Sequence, residues 1–327
     1  MTRPLPLACI LILACWCTAP VAVSAQQFSQ SSLFWLDPVQ FNPAYAGLDN
    51  SLSMTATYRT QWTGLPGSPT ELRLSAHLPV YFLSSGFGIE AERDELGARS
   101  LTRFGASWSY QIVRPTAVWS FGASARVLQL SLNGGMLRTP DGSYEDGITV
   151  HNDDLLPTGQ ADNSGVSFGA GIFYQAENLE GGLSVQNANA AAIEFPGFSY
   201  GFGRQYNGYL RARFDLIRNF ELLPMLAVYS DGTQHQAIGG ATLRYDENFF
   251  AGAAYRGYNG NTSDALVILG GVNLSDQFSI AYAYDLTLSE LQTVNDGSHE
   301  IVIKYNLGKR IGAGVPPPVI FNPRTKQ

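Results

Sequence analysis

Cysteine is confined to the first 25 residues of this chain, at Cys9, Cys15 and Cys17. Once that segment is set aside, a disulfide framework, a thiolate metal site and a cysteine nucleophile are all excluded. Charge is also sparse, at 14% of residues, and its balance is negative, at −7. A nucleic-acid partner is excluded on that ground, because phosphate recognition needs a basic surface. No apolar run after Ala25 is long enough for a spanning helix, which needs about 20 residues. A membrane-embedded mature chain must therefore be a closed barrel, since an open sheet edge leaves backbone groups unsatisfied in lipid. What the chain has instead is 12% aromatic residues and 34 glycines, a composition that suits many strands with small residues between large ones.

The opening segment reads as a secretory signal peptide over 1–25. Arg3 supplies the positive start, 7–17 is apolar, and Val23-Ser24-Ala25 is a small-residue cleavage site that leaves Gln26 as the new N-terminus. A transmembrane anchor is the competing reading, and the run is short for it. Ile12-Leu13-Ala14-Cys15 loosely resembles a lipoprotein box, but Cys15 falls inside the apolar run rather than after it.

From residue 51 the sequence alternates between faces. Leu52, Met54, Ala56 and Tyr58 oppose Ser53, Thr55, Thr57 and Arg59; Phe104, Ala106, Trp108 and Tyr110 oppose Gly105, Ser107 and Ser109. Such windows of about ten residues match a tilted strand that crosses a bilayer. About fourteen strands are expected on these pattern rules. They run over 51–61, 70–80, 85–93, 99–113, 116–132, 165–176, 180–187, 205–217, 220–230, 236–246, 248–257, 264–274, 277–286 and 298–307. Alternation alone also fits a soluble β-sandwich. The connections discriminate: every second one is tight, such as Arg114-Pro115 and Ser275-Asp276, and the intervening ones tend to be longer, above all 133–164 and 188–204. That rhythm belongs to an outer-membrane barrel with short periplasmic turns and longer extracellular loops. The expected fold is thus all-β, a single transmembrane antiparallel barrel over 51–307. Tyr81, Phe82, Phe249, Phe250, Tyr255 and Tyr258 fall near strand ends, where rings favour the membrane interface. The segment 26–50 has no strand pattern and either plugs the lumen or docks in the periplasm. The tail 308–327 carries Pro316-Pro317-Pro318 and reads as a periplasmic extension, either a contact segment or a disordered end.

Catalytic and metal chemistry find little support, so no cofactor and no enzymatic activity are expected. The four histidines, His77, His151, His235 and His299, show no metal-ligand spacing. Ser298 and His299 point to opposite faces of a strand; Ser75 and His77 share a face, but no GxSxG elbow surrounds them. The carboxylates Asp141, Glu145, Asp146, Asp153 and Asp154 lie on the longest loop without an EF-hand order, and read as a solvated loop in preference to a calcium site. Gly201-Phe202-Gly203 is too short for a phosphate loop.

The most distinctive stretch is 36–47, containing Asn42-Pro43-Ala44-Tyr45-Ala46-Gly47, followed by Tyr58-Arg59-Thr60-Gln61-Trp62 and then Ser75-Ala76-His77. Near the far end come Tyr284-Asp285 and Ser298-His299-Glu300. This ordered set resembles the PorP/SprF family of Bacteroidetes outer-membrane proteins, associated with the type IX secretion system and gliding motility. The resemblance implies a barrel that supports export or surface attachment of secreted adhesin-like cargo, and that contacts periplasmic or peptidoglycan-linked secretion components. As residues, the motifs read as structural: Asn42-Pro43 favours a turn, Gly47 permits an unusual backbone angle, Arg59 and Gln61 share the lumen face with Thr57, and Trp62 closes its strand. The rival function is an outer-membrane channel or porin for a solute. A third is an outer-membrane hydrolase.

Overall fold

The computed structural model describes residues 30–144, 149–217, 219–257, 263–309 and 311. The segment 1–25, expected as a signal peptide, Tyr258 and Pro316-Pro317-Pro318 of the expected tail lie outside them. Fourteen strands close one antiparallel barrel. They are β1 (Ser53–Thr60), β2 (Thr70–Val80), β3 (Ser85–Leu96), β4 (Arg99–Arg114), β5 (Ala117–Asn133), β6 (Gln160–Ala176), β7 (Leu179–Gln186), β8 (Gln205–Ala212, with a stub at Phe214–Asp215), β9 (Phe220–Ser230), β10 (His235–Tyr245), β11 (Phe249–Gly257), β12 (Ser263–Asn273), β13 (Phe278–Thr287) and β14 (Ser298–Asn306). Each strand pairs with its sequence neighbours, and β14 pairs with β1 from Ser53↔Asn306 to Thr60↔His299, so no edge is left in the ring.

Two departures from the sequence pattern have physical causes. β8 is interrupted at Arg213: its ladder to β9 stops at Arg211↔Met225 and resumes at Phe214↔Leu222. The missing step faces Pro224, which has no N–H to donate. β6 begins at Gln160, five residues before the expected window; 160–164 is polar apart from Ala161 and so carries no apolar alternation to mark it as strand. The turn rhythm fails at two outer connections: 97–98, as tight as the shortest periplasmic ones and made by Gly97 at φ +54°, and 231–234, no longer than the periplasmic 81–84 and 274–277.

The two faces of the wall are opposite in character. Outward lie Leu72, Leu74, Ile89, Phe104, Phe168, Leu183 and Ile268, all between 48% and 67% exposed. Inward lie Ser53, Thr55, Thr57, Arg59, Arg73, Ser75 and His77, all buried. A water-soluble sandwich has the reverse arrangement, so the apolar outer face meets lipid. Trp119 and Tyr174 pair at the periplasmic end with ring centroids 4.8 Å apart, as do Phe220 and Tyr245. Phe82 and Phe249 complete that girdle, while Tyr58, Tyr206, Tyr255 and Tyr282 stand on the outer half. Phe250 does not join it: that ring turns inward against the lumen core.

The lumen is filled by the chain's own N-terminal segment. Residues 31–47 are buried apart from a half-buried Leu36, and coil through three short 3₁₀ turns, Phe34–Leu36, Pro38–Gln40 and Pro43–Tyr45. Prolines open the second and third turns, where a missing N–H costs nothing. Phe34, Trp35 and Phe41 pack on Met225, Ala227, Ile238, Val267 and Ala281, an apolar patch on the inner face of β9–β13. Val39, Ala44, Tyr45 and Leu48 pack on Val118 and Phe173 opposite. Burying three such aromatic rings contributes about 5–9 kcal/mol as an upper bound.

Candidate functional site

The plug runs from the extracellular half of the lumen to the periplasmic end, and a different polar device holds each end. At the outer end Glu300 accepts from Ser31 Oγ (2.5 Å), the Ser32 N–H (2.7 Å) and the Leu33 N–H (3.1 Å). Asp285 accepts from Ser32 Oγ at 2.6 Å. Arg59 bridges both carboxylates, at 2.7 Å to Asp285 and 3.0 Å to Glu300, and Arg256 reaches Asp285 at 2.8 Å. Arg256 also donates to Ser32 Oγ. Two cations thus meet two anions, so the buried cluster is neutral, and the plug's free N–H groups fall to the spare carboxylate lone pairs. Above it lies a pocket at the outer mouth, lined by Gln30, Gln61, Trp62, Glu71, Asp94 and Arg99.

At the middle, Asn42 uses both ends of its amide. Its Oδ1 accepts from the Ala44 N–H at 3.0 Å and caps the third 3₁₀ turn. Its Nδ2 donates to the wall carbonyls of Ile172 (2.8 Å) and Leu183 (3.2 Å). The plug's own carbonyls are met by wall side chains: Ser184 Oγ donates to Phe41 O at 2.6 Å, Gln186 to Gln40 O at 2.7 Å, and Ser109 Oγ to Ala46 O at 2.7 Å. Ser75 Oγ donates to Asp37 at 2.8 Å. Burial pushes the Asp37 carboxyl up to about 6, against the opposing pull of Ser75 and Arg73.

At the periplasmic end Asp49 gathers Tyr45 (2.6 Å), Ser53 (2.7 Å) and Lys304 (2.7 Å), with His77 Nε2 at 3.6 Å. Burial raises this carboxyl, but the Lys304 ammonium and His77 outweigh it and hold Asp49 well below the usual range. The other ring nitrogen of His77 accepts from the Gly47 N–H at 3.1 Å. Gly47 sits at φ +79°, and a Cβ there would lie 2.8 Å from Gly86 Cα, so the plug and the wall touch backbone to backbone.

The sequence motifs therefore converge on one construction. Asn42, Pro43, Tyr45 and Gly47 are the plug; Arg59, His77, Asp285 and Glu300 are its inward-facing anchors. Ser298 Oγ accepts from the Trp62 N–H at 3.1 Å, and Thr63 and Gly297 join the same two outer loops at 2.8 Å. Gln61 borders the mouth pocket. Tyr58, Tyr284 and His299 are on the lipid side, where His299 Nδ1 and Tyr282 OH lie 2.6 Å apart. Neither serine–histidine pair forms: Ser75 is bonded to Asp37, and His299 points away from Ser298 Oγ. Among the described residues no group of His, Cys, Asp or Glu is placed to hold a metal ion; Glu145 and Asp146 of the acidic loop lie outside them. Sequence reasoning missed Ser31, Ser32, Asp37, Asp49, Arg256 and Lys304. Arg256 carries one legible signal, a lone charge at an inward position of an otherwise uncharged strand.

Residues 23–305 match the family described as type IX secretion system membrane protein PorP/SprF. The chain belongs to that family. Its barrel is an outer-membrane protein of the type IX secretion class. Among solved structures it is similar to the CymD monoaromatic hydrocarbon channel, at 13% identity and TM-score 0.47, covering 84% of this chain and 94% of that one. It is also similar to Omp33 of Acinetobacter baumannii (6% identity, TM-score 0.45, 79% and 100% covered) and to the P. putida toluene transporter TodX (11%, 0.45, 82% and 93%). No curated protein sequence matches it. Of the PorP/SprF-like motif residues in the wall, Arg59, His77, Asp285 and Glu300 hold the plug, while Ser298 ties two outer loops together.

Proposed function

We propose that this PorP/SprF barrel is a sealed outer-membrane anchor that supports export or surface attachment of specific adhesin-like cargo, acting through protein–protein contacts and not through catalysis or solute passage. The observation that carries the reading is the plug. A lumen in which residues 31–49 are held at both ends, with aromatic rings seated between, leaves the loops and the periplasmic turns as the working surfaces. The extracellular loops 134–159 and 187–204 are the largest of these and face the cargo. The periplasmic side faces peptidoglycan-linked components of the secretion machinery. Deleting the gene and assaying the surface proteome tests this: specific cargo is expected to be lost from the surface or retained in the periplasm. Unaltered export and attachment of all type IX cargo would refute it. A steady conductance of the purified wild-type protein in planar bilayers would favour a solute channel instead.

A further inference from the structure

The barrel wall is not of even height. On the outward face the cross-strand row Phe104–Val127–Val166 is apolar and exposed. The next row, Thr102–Gln129–Ser164, is polar, and so is the row above it, Ser100–Ser131–Asp162. The lipid boundary thus falls between Val166 and Ser164, and β4–β6 stand above it in water. β7 does not follow: its ladder with β6 ends at Ala170↔Val185. The outer part of β6 is therefore an edge.

That edge is covered only as far as the membrane requires. In a strand, the N–H and C=O of alternate residues point to the same side. Phe168 O accepts from the Ala188 N–H at 2.8 Å, and the Phe168 N–H donates to Asn189 Oδ1 at 3.1 Å, so even-numbered residues face the edge. Asn189 Nδ2 donates to Val166 O at 2.9 Å, so one asparagine side chain replaces a strand at lipid level. Beyond it the Ser164 N–H is taken by Asn163 Oδ1 at 2.8 Å. The N–H and C=O of Asp162 and the C=O of Ser164 have no partner among the described residues. The inner face of this extension is closed by the hairpin Ala192–Phe195/Phe198–Gly201, whose Ile193 and Phe195 pack on Leu101, Leu128 and Leu130. The three-stranded extension is thus rigid, wet and open along one side.

We infer that the extracellular edge of β6, residues 160–164, accepts an extended strand of a secreted polypeptide by β-augmentation, which gives the proposed cargo contact its place on the barrel and rests on that reading. Main-chain pairing supplies the contact, and charge selects the partner. The loops 134–159 and 187–204 together with the edge carry Asp141, Asp153, Asp154, Asp162 and Glu194 against two arginines among the described residues. The strand that fits carries lysine or arginine at its ends.

Asp162→Pro is the discriminating variant. Its N–H faces the edge and takes no part in the ladder to β5, which uses the odd-numbered residues, so the barrel loses no hydrogen bond. The probe is a short synthetic peptide of alternating threonine and valine with lysines at both ends, titrated against the purified full-length barrel in detergent. Saturable binding is expected, weakened about tenfold by Asp162→Pro and reduced by salt in the wild type. Asp162→Asn, which keeps the backbone donor, loses part of the salt dependence and retains binding. No saturable binding, or equal binding to wild type and Asp162→Pro, would overturn the inference. The mature chain has no cysteine, so Ser164→Cys reports a second occupant: a disulfide dimer abolished by Asp162→Pro would assign the edge to another copy of this chain and overturn the inference too. In cells, Asp162→Pro is expected to lower surface-attached cargo with barrel levels unchanged. If the peptide behaves as stated while gene deletion leaves all cargo attached, the proposed function fails and the edge stands.

Discussion

Removing the Glu300 carboxylate separates the two forces that hold the plug. In Glu300→Ala, the Ser32 and Leu33 N–H groups lose their acceptor, Ser31 Oγ loses its partner, and Arg59 keeps Asp285 and Ser32 Oγ. Truncating one member of a buried, hydrogen-bonded ion cluster costs about 3–5 kcal/mol. That is a shift of roughly 10²–10⁴ in the local docking equilibrium. It stays below the roughly 5–9 kcal/mol upper bound for burying the rings of Phe34, Trp35 and Phe41. The outer end is therefore expected to fray while the rest of the plug stays seated. Hydrogen exchange on the detergent-solubilised barrel reads this directly. The Ser32 and Leu33 amides should lose protection by roughly the factor above, whereas the Asn42 and Tyr45 amides, bonded to Pro38 O and Asn42 O, should not change. Ile301→Ala, on the lipid side of the same strand, should leave all of them alone. Unchanged exchange at Ser32 and Leu33 would refute the anchor. Equal loss at Tyr45 would refute the assignment of the larger share to the rings.

Asn42→Asp replaces two N–H donors with oxygen against the carbonyls of Ile172 and Leu183, and should destabilise plug docking by about 2–4 kcal/mol, seen as faster chymotryptic cleavage at Phe41 and Tyr45 in the folded barrel. Gly122→Val builds a Cβ within 2.3 Å of Ala44 N where the plug lies against β5; the barrel should assemble with its plug undocked and show a higher ion conductance in planar bilayers than the wild type. The Asp37 carboxyl, raised by burial to about 6, is protonated in the docked plug at a pH where the free segment is ionised. A group raised in this way contributes docking stability that is complete below its ordinary value and is lost as pH rises through about 6, so between those limits the wild type should lose plug-amide protection with rising pH relative to Asp37→Asn, as hydrogen exchange of the two reads.

The sequence by itself determined the barrel. A two-residue period with apolar residues facing lipid, long and short connections in turn, and an even strand number all follow from a chain that must satisfy every backbone group inside a bilayer, and each is a local pattern. The family motifs were legible too, because Asn42, Arg59, His77, Asp285 and Glu300 stand out in order along the chain. What they do was not legible. Ser31 and Glu300 are 269 positions apart, and nothing in either segment says that one caps the other. The segment 31–48 carries no period, because a plug coils through short turns and buries residues on all sides instead of one. Strand ends depend likewise on what stands beside them: β8 breaks where Pro224 of β9 faces it, and β6 rises past its neighbour into water. Periodicity reports a residue's face along its own strand. Only closure of the ring decided that the polar face surrounds a seat for the chain's own beginning, and that one strand edge is left without a partner above the membrane.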